Sequence, residues 1–255
     1  MLKDYIAEKK KNKDILLMTH VICGYPSFED NWKELEIMDE FGVDFVELQF
    51  PFSEPSADGP HFVRANELSL QNGTTVDQCF EFMKKVTEKF SFKTLMMGYY
   101  NTAYKMGHEK YIARLKDAGG CAYILPDLPL EEAGELHALS KANDIEPIML
   151  MTPTNTDERL AQIAEVASGL IYVVARKGVT GGKTDMSTEV GNYLDRCRKV
   201  TDLPLGVGFG VSSKADLDFL RSQNADCAII GTAVLKVWET DGEQGLRDFF
   251  TNLLK

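Results

Sequence analysis

Eight short runs of apolar residues recur along the chain, apolar at odd and even positions alike. They are "LLMTHVI" at 16–22, "DFVELQ" at 44–49, "TLMM" at 94–97, "CAYIL" at 121–125, "PIMLM" at 147–151, "LIYVV" at 170–174, "LPLGVG" at 203–208 and "CAIIG" at 227–231. A run apolar on both parities suits a strand covered on both faces, as in a parallel sheet. Helical patterns lie between the runs. Ser27 can cap "FEDNWKELEIMDEFG", with Asp30 in the first turn and Gly42 as its stop. "HEKYIARLKDAGG", "EEAGELHALSKAND", "DERLAQIAEVASG" and "SKADLDFLRSQNA" repeat that logic, mostly ending at Gly or Asn. Eight strands alternating with helices predict a (β/α)8 TIM barrel, the parallel alternative being a doubly wound open sheet. The chain has 255 residues, no low-complexity linker and no shift of composition, so the expectation is a single domain over 1–255.

The charge balance removes whole classes of function. A net charge of −11 argues against nucleic acid or an anionic membrane surface as partner. No segment approaches the roughly 20 apolar residues needed to span a bilayer. Five cysteines without a C-x-x-C, and four histidines without ligand spacing, favour reduced thiols over disulfides or a metal site. The expectation is a cytoplasmic protein that holds no metal.

The stretch "VELQFPFSEPSADGP" at 46–60 carries Glu47, Glu54 and Asp58, with Asp44 just before it. In a strand, Phe45, Glu47 and Gln49 share one face while Val46 and Leu48 share the other. The aliphatic face suits packing on helices, so Glu47 and Gln49 would point into the barrel near its C-terminal mouth, where active sites of this fold lie. The competing reading is a Glu paired with a basic residue on a neighbouring strand, since a buried carboxylate must be paired or protonated. Asp58 in "ADGP" reads equally as a turn residue. Together the two acids can form an acid–base pair, one kept protonated by burial and one ionised.

Strand 7 ends in "GVGFGVSS", and strand 8 ends in "IIGTAV" running into a helix. Adjacent strands ending in glycine let backbone N–H groups converge beside a helix start, the usual phosphate site of these barrels; glycines for tight turns are the alternative. The stretch "ARKGVTGGKTDMS" at 175–187 is long for a βα loop and carries Arg176, Lys177, Thr180 and Lys183. It reads as a lid that closes over substrate, or else as a solvated loop.

"ELQFPFSEPSADGP", "MGYYN" at 97–101, "LPDLPLEE" at 125–132, "ARKGVTGG" at 175–182 and "GFGVSS" at 208–213 together resemble the alpha subunit of tryptophan synthase, in that family's order and over nearly the whole chain. The resemblance implies a (β/α)8 lyase that cleaves indole-3-glycerol phosphate to indole and glyceraldehyde 3-phosphate with no cofactor of its own. It implies a beta subunit partner that carries pyridoxal phosphate, in an alpha2beta2 tetramer. By the same resemblance, Glu47 is the acid–base carboxylate that protonates indole C3, and Asp58 holds the indole N–H. Tyr172 places a hydroxyl near that glutamate. Thr180 is the lid threonine and Asp127 its partner on closure. Gly181, Gly210, Gly231 and Thr232 supply the phosphate-binding backbone, and Glu54 stands where an aspartate faces the beta subunit.

The departures from the family are Gln49 for glycine, His20 for an aromatic, Ile22 for threonine, Val63 for glutamine, Glu54 for aspartate and Thr232 for serine. From strand parity, the Gln49 amide is expected within hydrogen-bonding reach of Glu47 or of bound indole; donation to Glu47 would lower that pKa, and the alternative is a side chain that points at water or fills space. His20 is expected to add a pH-sensitive contact. The alternative to an active lyase is a catalytically weak alpha-like subunit that acts mainly as an allosteric partner. An isomerase barrel would explain the glycines but not "PFSEPSADGP".

Overall fold

The apolar runs become nine parallel strands in one sheet: β1 (Leu16–Ile22), β2 (Phe45–Gln49), β3 (Lys93–Met97), β4 (Ala122–Ile124), β5 (Glu146–Pro147), β6 (Met149–Met151), β7 (Ile171–Val174), β8 (Leu205–Gly208) and β9 (Cys227–Ile230). The computed structural model describes residues 2–175, 188–208 and 210–255. The strand order is β5-β4-β3-β2-β1-β9-β8-β7-β6. Its two ends, β5 and β6, are one stretch of chain interrupted at Ile148, so the sheet rolls into a nearly closed barrel. The expected open-sheet alternative is excluded by that closure.

Pro147 accounts for the split of the fifth strand into two. The N–H groups of Glu146 and Ile148 donate to Cys121 O and Tyr123 O, at 3.0 and 2.9 Å. Residue 147 would aim its N–H the other way, at β7, but proline has none to give. Pairing with β7 therefore starts only at Met149, opposite Ile171.

Local signals set the helices. Ser27 caps Phe28–Glu40 by accepting from the Asp30 N–H at 3.0 Å, and Gly42, at φ +69°, turns the chain out. Ser213 and Asp216 form a reciprocal capping box on Lys214–Ser222. The patterned segments become His108–Asp117, Gly134–Ala142 and Asp157–Val166. Two helices, Pro60–Gln71 and Val76–Lys89, stand between β2 and β3 where one would suffice, and a further short one, Tyr100–Met106, follows β3.

Strand parity divides the core as expected for β2. Val46 and Leu48 pack in the layer between strands and helices, while Phe45 joins an inner cluster with Leu16, Met18, Leu95 and Ile229. The N-terminal helix Leu2–Lys9 plugs this interior at the strands' N-terminal end, with Leu2 and Ile6 buried in the same cluster. The Leu2 N–H donates to Glu146 Oε1 at 2.8 Å, and Tyr5 packs edge-on against Phe45 at 5.4 Å between centroids. Ile6→Ala should cost about 2–4 kcal/mol through the cavity it leaves. A urea midpoint lowered at constant slope is the expected result, and an unchanged midpoint would mean the helix is not part of the core.

Candidate active site

Two acids of the barrel strands and their edges meet cations, and Glu47 does not. Asp44 receives Lys13 Nζ at 2.7 Å and the Leu17 N–H at 3.0 Å. Asp226 is held by Lys10, Arg198 and the Leu205 N–H. These serve the barrel's N-terminal end. Glu47 is only 1% exposed, yet among the described residues no lysine or arginine reaches it. Its Oε2 lies 3.4 Å from His20 Nδ1, and its Oε1 has no partner. A buried carboxylate so placed keeps its proton. Burial, with the Asp58 charge adding to it, pushes the Glu47 pKa up to about 8.

Asp58 sits in the loop after β2, just ahead of Pro60–Gln71. Burial raises its pKa to about 6, and donors restrain the rise. Gln49 Nε2 donates to Asp58 Oδ2 at 2.7 Å, and Asn66 Nδ2 approaches the same oxygen at 3.4 Å. The Tyr99 hydroxyl also bonds Asp58 and accepts from the Ala57 N–H at 3.1 Å. Near neutral pH the pair is thus split, a protonated Glu47 beside an ionised Asp58.

Two expectations are overturned here. The Gln49 amide donates to Asp58, not Glu47, because Asn66 and Asp58 approach it from the helix side. His20 is no switch near neutral pH: burial lowers its pKa to about 4, and its ring lies tilted against Phe62 at 4.5 Å between centroids.

Both acids line one cavity of about 360 Å³ at the C-terminal mouth, a size usual for small-molecule sites. Phe62, Met97, Ile124, Leu150 and Ile229 give it apolar walls, and Tyr172 and Val174 face it from β7. The inward positions of β8 are Gly206 and Gly208; a Cβ at Gly208 would lie 2.8 Å from the Tyr172 hydroxyl. Gly210, Gly231 and Thr232 line the same cavity. Gly210 takes φ +96°, a left-handed conformation that glycine adopts freely. Gly231 precedes the first turn of Thr232–Leu254, so orphan N–H groups and the positive end of that helix border the space.

The remaining expected residues fall elsewhere. Thr180 and Gly181, with the loop 176–187, lie outside the described residues. Asp127 is exposed and does not line the cavity; its Oδ1 accepts from the Tyr100 N–H at 2.8 Å, capping Tyr100–Met106 from the loop after β4. Glu54 is exposed on the β2 loop. Asn66 and Phe62 went unread in the sequence. Phe62, Ala65, Asn66 and Ser69 recur at helical spacing on one buried face, and a polar residue on such a face is the signal that marks Asn66.

A family model described as tryptophan synthase alpha chain matches residues 6–252. The chain belongs to that family. The tryptophan synthase alpha chain of Syntrophotalea carbinolica is 43% identical over 253 residues, covering 99% of this chain and all of that one. The solved tryptophan synthase of Mycobacterium tuberculosis superposes with a TM-score of 0.91 at 30% identity, over 99% of this chain and 96% of that one. The tryptophan synthase a2b2 complex of Pyrococcus furiosus superposes at 0.87, with 27% identity over 94% and 97% of the two chains. Family membership agrees with the barrel and with the mouth that carries the cavity.

The raised pKa of Glu47 has a consequence for stability. The folded protein keeps a proton that the unfolded chain releases near 4.5, so stability falls as pH rises from there through about 8. Glu47→Gln removes that loss. Its stability relative to the unsubstituted protein should therefore be greater at about pH 9 than at about pH 5, read from denaturant midpoints at both. Equal differences at the two pH values would mean that Glu47 is already ionised when folded.

Proposed function

We propose that this chain is the alpha-reaction lyase of tryptophan synthase, releasing indole and glyceraldehyde 3-phosphate from indole-3-glycerol phosphate. The observation that carries the reading is the split pair of acids, Glu47 and Asp58, in one cavity with the Gly231–Thr232 helix start. The apolar walls suit the indole ring. The backbone around Gly210, Gly231 and Thr232 suits the phosphate, with Gly181 as a further contact.

The chemistry follows from the protonation states. Glu47, protonated, delivers its proton to indole C3, and the ring becomes cationic. Ionised Asp58 accepts the indole N–H and stabilises that positive charge. The bond from C3 to the glycerol carbon then breaks, and its electron pair restores the aromatic ring. The hydroxyl on that carbon loses its proton and becomes the aldehyde of the triose phosphate. Glu47, now a carboxylate, takes that proton and is reset, so no proton is consumed. Tyr172 stands beside Glu47 with its hydroxyl kept protonated by burial and by both acids, able to hold a substrate oxygen.

The same reading gives the chain a beta subunit partner that carries pyridoxal phosphate, in an alpha2beta2 assembly, with no cofactor bound by the alpha chain itself. Exposed Glu54, and the loop with Asp127 that closes with Thr180, would face that partner and the substrate entry. Five free cysteines support a cytoplasmic setting.

Glu47→Gln and Asp58→Asn should each lower kcat for indole release by at least about 100-fold, with the fold kept. Retention of near-normal turnover by either variant would sink the assignment of that acid. Gly210→Val should raise KM with a smaller effect on kcat, since a side chain there crowds the anion. Equal binding of glycerol and glycerol phosphate in calorimetry would rule the phosphate site out.

A further inference from the structure

His20 and Gln49 lie between the two acids. On adjacent parallel strands His20 stands opposite Glu47 and Ile22 opposite Gln49, so the imidazole sits within reach of both β2 side chains. Phe62 lies tilted against the ring at an interplanar angle of 31° and braces it. One ring nitrogen, Nδ1, faces Glu47 Oε2 at 3.4 Å. The other, Nε2, is buried and makes no hydrogen bond among the described residues, nor does Gln49 Oε1, although the Gln49 side chain is near enough to act on the imidazole. The Gln49 amide cannot turn round, because its Nε2 is committed to Asp58 Oδ2 at 2.7 Å. Its oxygen is therefore the end that His20 meets.

A neutral imidazole has one donor and one acceptor. An amide oxygen accepts only, so Nε2 must carry the hydrogen, and Nδ1 must offer its lone pair to Glu47. Only a protonated Glu47 can satisfy that lone pair. We propose that His20 and Gln49 are positioning residues that join the two acids by one directed hydrogen-bond chain: Glu47 O–H to His20 Nδ1, His20 Nε2–H to Gln49 Oε1, and Gln49 Nε2–H to Asp58 Oδ2. The chain fixes the proton on Glu47 and the negative charge on Asp58 before any substrate arrives. Its value for catalysis rests on the lyase reading above, but its existence does not. Tyr172 and Cys227 face Glu47, and Tyr99 faces Asp58; burial keeps all three protonated, so none competes for the role.

The test uses the intact, ligand-free protein, so that failure of the chain and failure of the lyase reading give different results. Nitrogen-15 NMR of the histidine rings, with His20→Phe to assign the resonance, should show His20 neutral between about pH 5 and 8, protonated on Nε2 and bare on Nδ1. Gln49→Met, and Gln49→Leu as a second volume-conserving variant, should raise the carbon-13 titration midpoint of Asp58 by about one unit, through loss of a hydrogen bond to a charged group. The same variants should change the tautomer balance of His20, which a merely space-filling Gln49 would not alter. A hydrogen on Nδ1, a charged imidazole in this range, or an unmoved Asp58 midpoint in both variants overturns the proposal. If the tautomer and midpoints behave as expected while indole-3-glycerol phosphate is not turned over, the chain stands and the lyase reading falls.

Discussion

Everything at the mouth of the barrel depends on Glu47 being buried with no lysine or arginine beside it among the described residues. Removing a lone carboxylate from water is so unfavourable that the group keeps its proton instead. The strand alternation that carries Val46 and Leu48 out to the helices carries Glu47 in, so the fold itself creates the acid. The opposite end of the barrel shows what the same chain does when an acid serves only the fold. Asp44 and Asp226 each receive cationic side chains and backbone N–H groups.

Much of this was legible in the sequence. The eight apolar runs marked the strands to within a residue or two, and Ser27 and Ser213 announced their helices through side chains that bond locally. Glu47 was legible because parity is a local property. The break at Ile148 was written in Pro147, but its effect requires knowing that the neighbour on that side is β7. The bond from the Tyr100 N–H to Asp127 was not legible for the same reason: it joins two loops that only the barrel brings together. Gln49 was read on the correct face, yet its amide was directed at the wrong acid. The partner that decides its direction, Asn66, arrives from a helix seventeen residues on.

His20 and Gln49 also show how two polar side chains at one inner face are to be weighed, since each is costly there in isolation. In the proposed chain each supplies the other's missing partner, and two polar residues that complete one network are a different object from two separate lesions.

The cavity takes up the upper barrel, where Gly208 of β8 yields its inward place to the Tyr172 ring that walls the space. In an ordinary barrel that volume is core. Here the missing part of the core is the ligand, so occupancy and folding draw on the same apolar contacts and are thermodynamically linked. Filling the void with larger residues would be the obvious route to a sturdier protein, and it would be the same act as blocking the site. The protein's looseness at this point is a place reserved for a visitor.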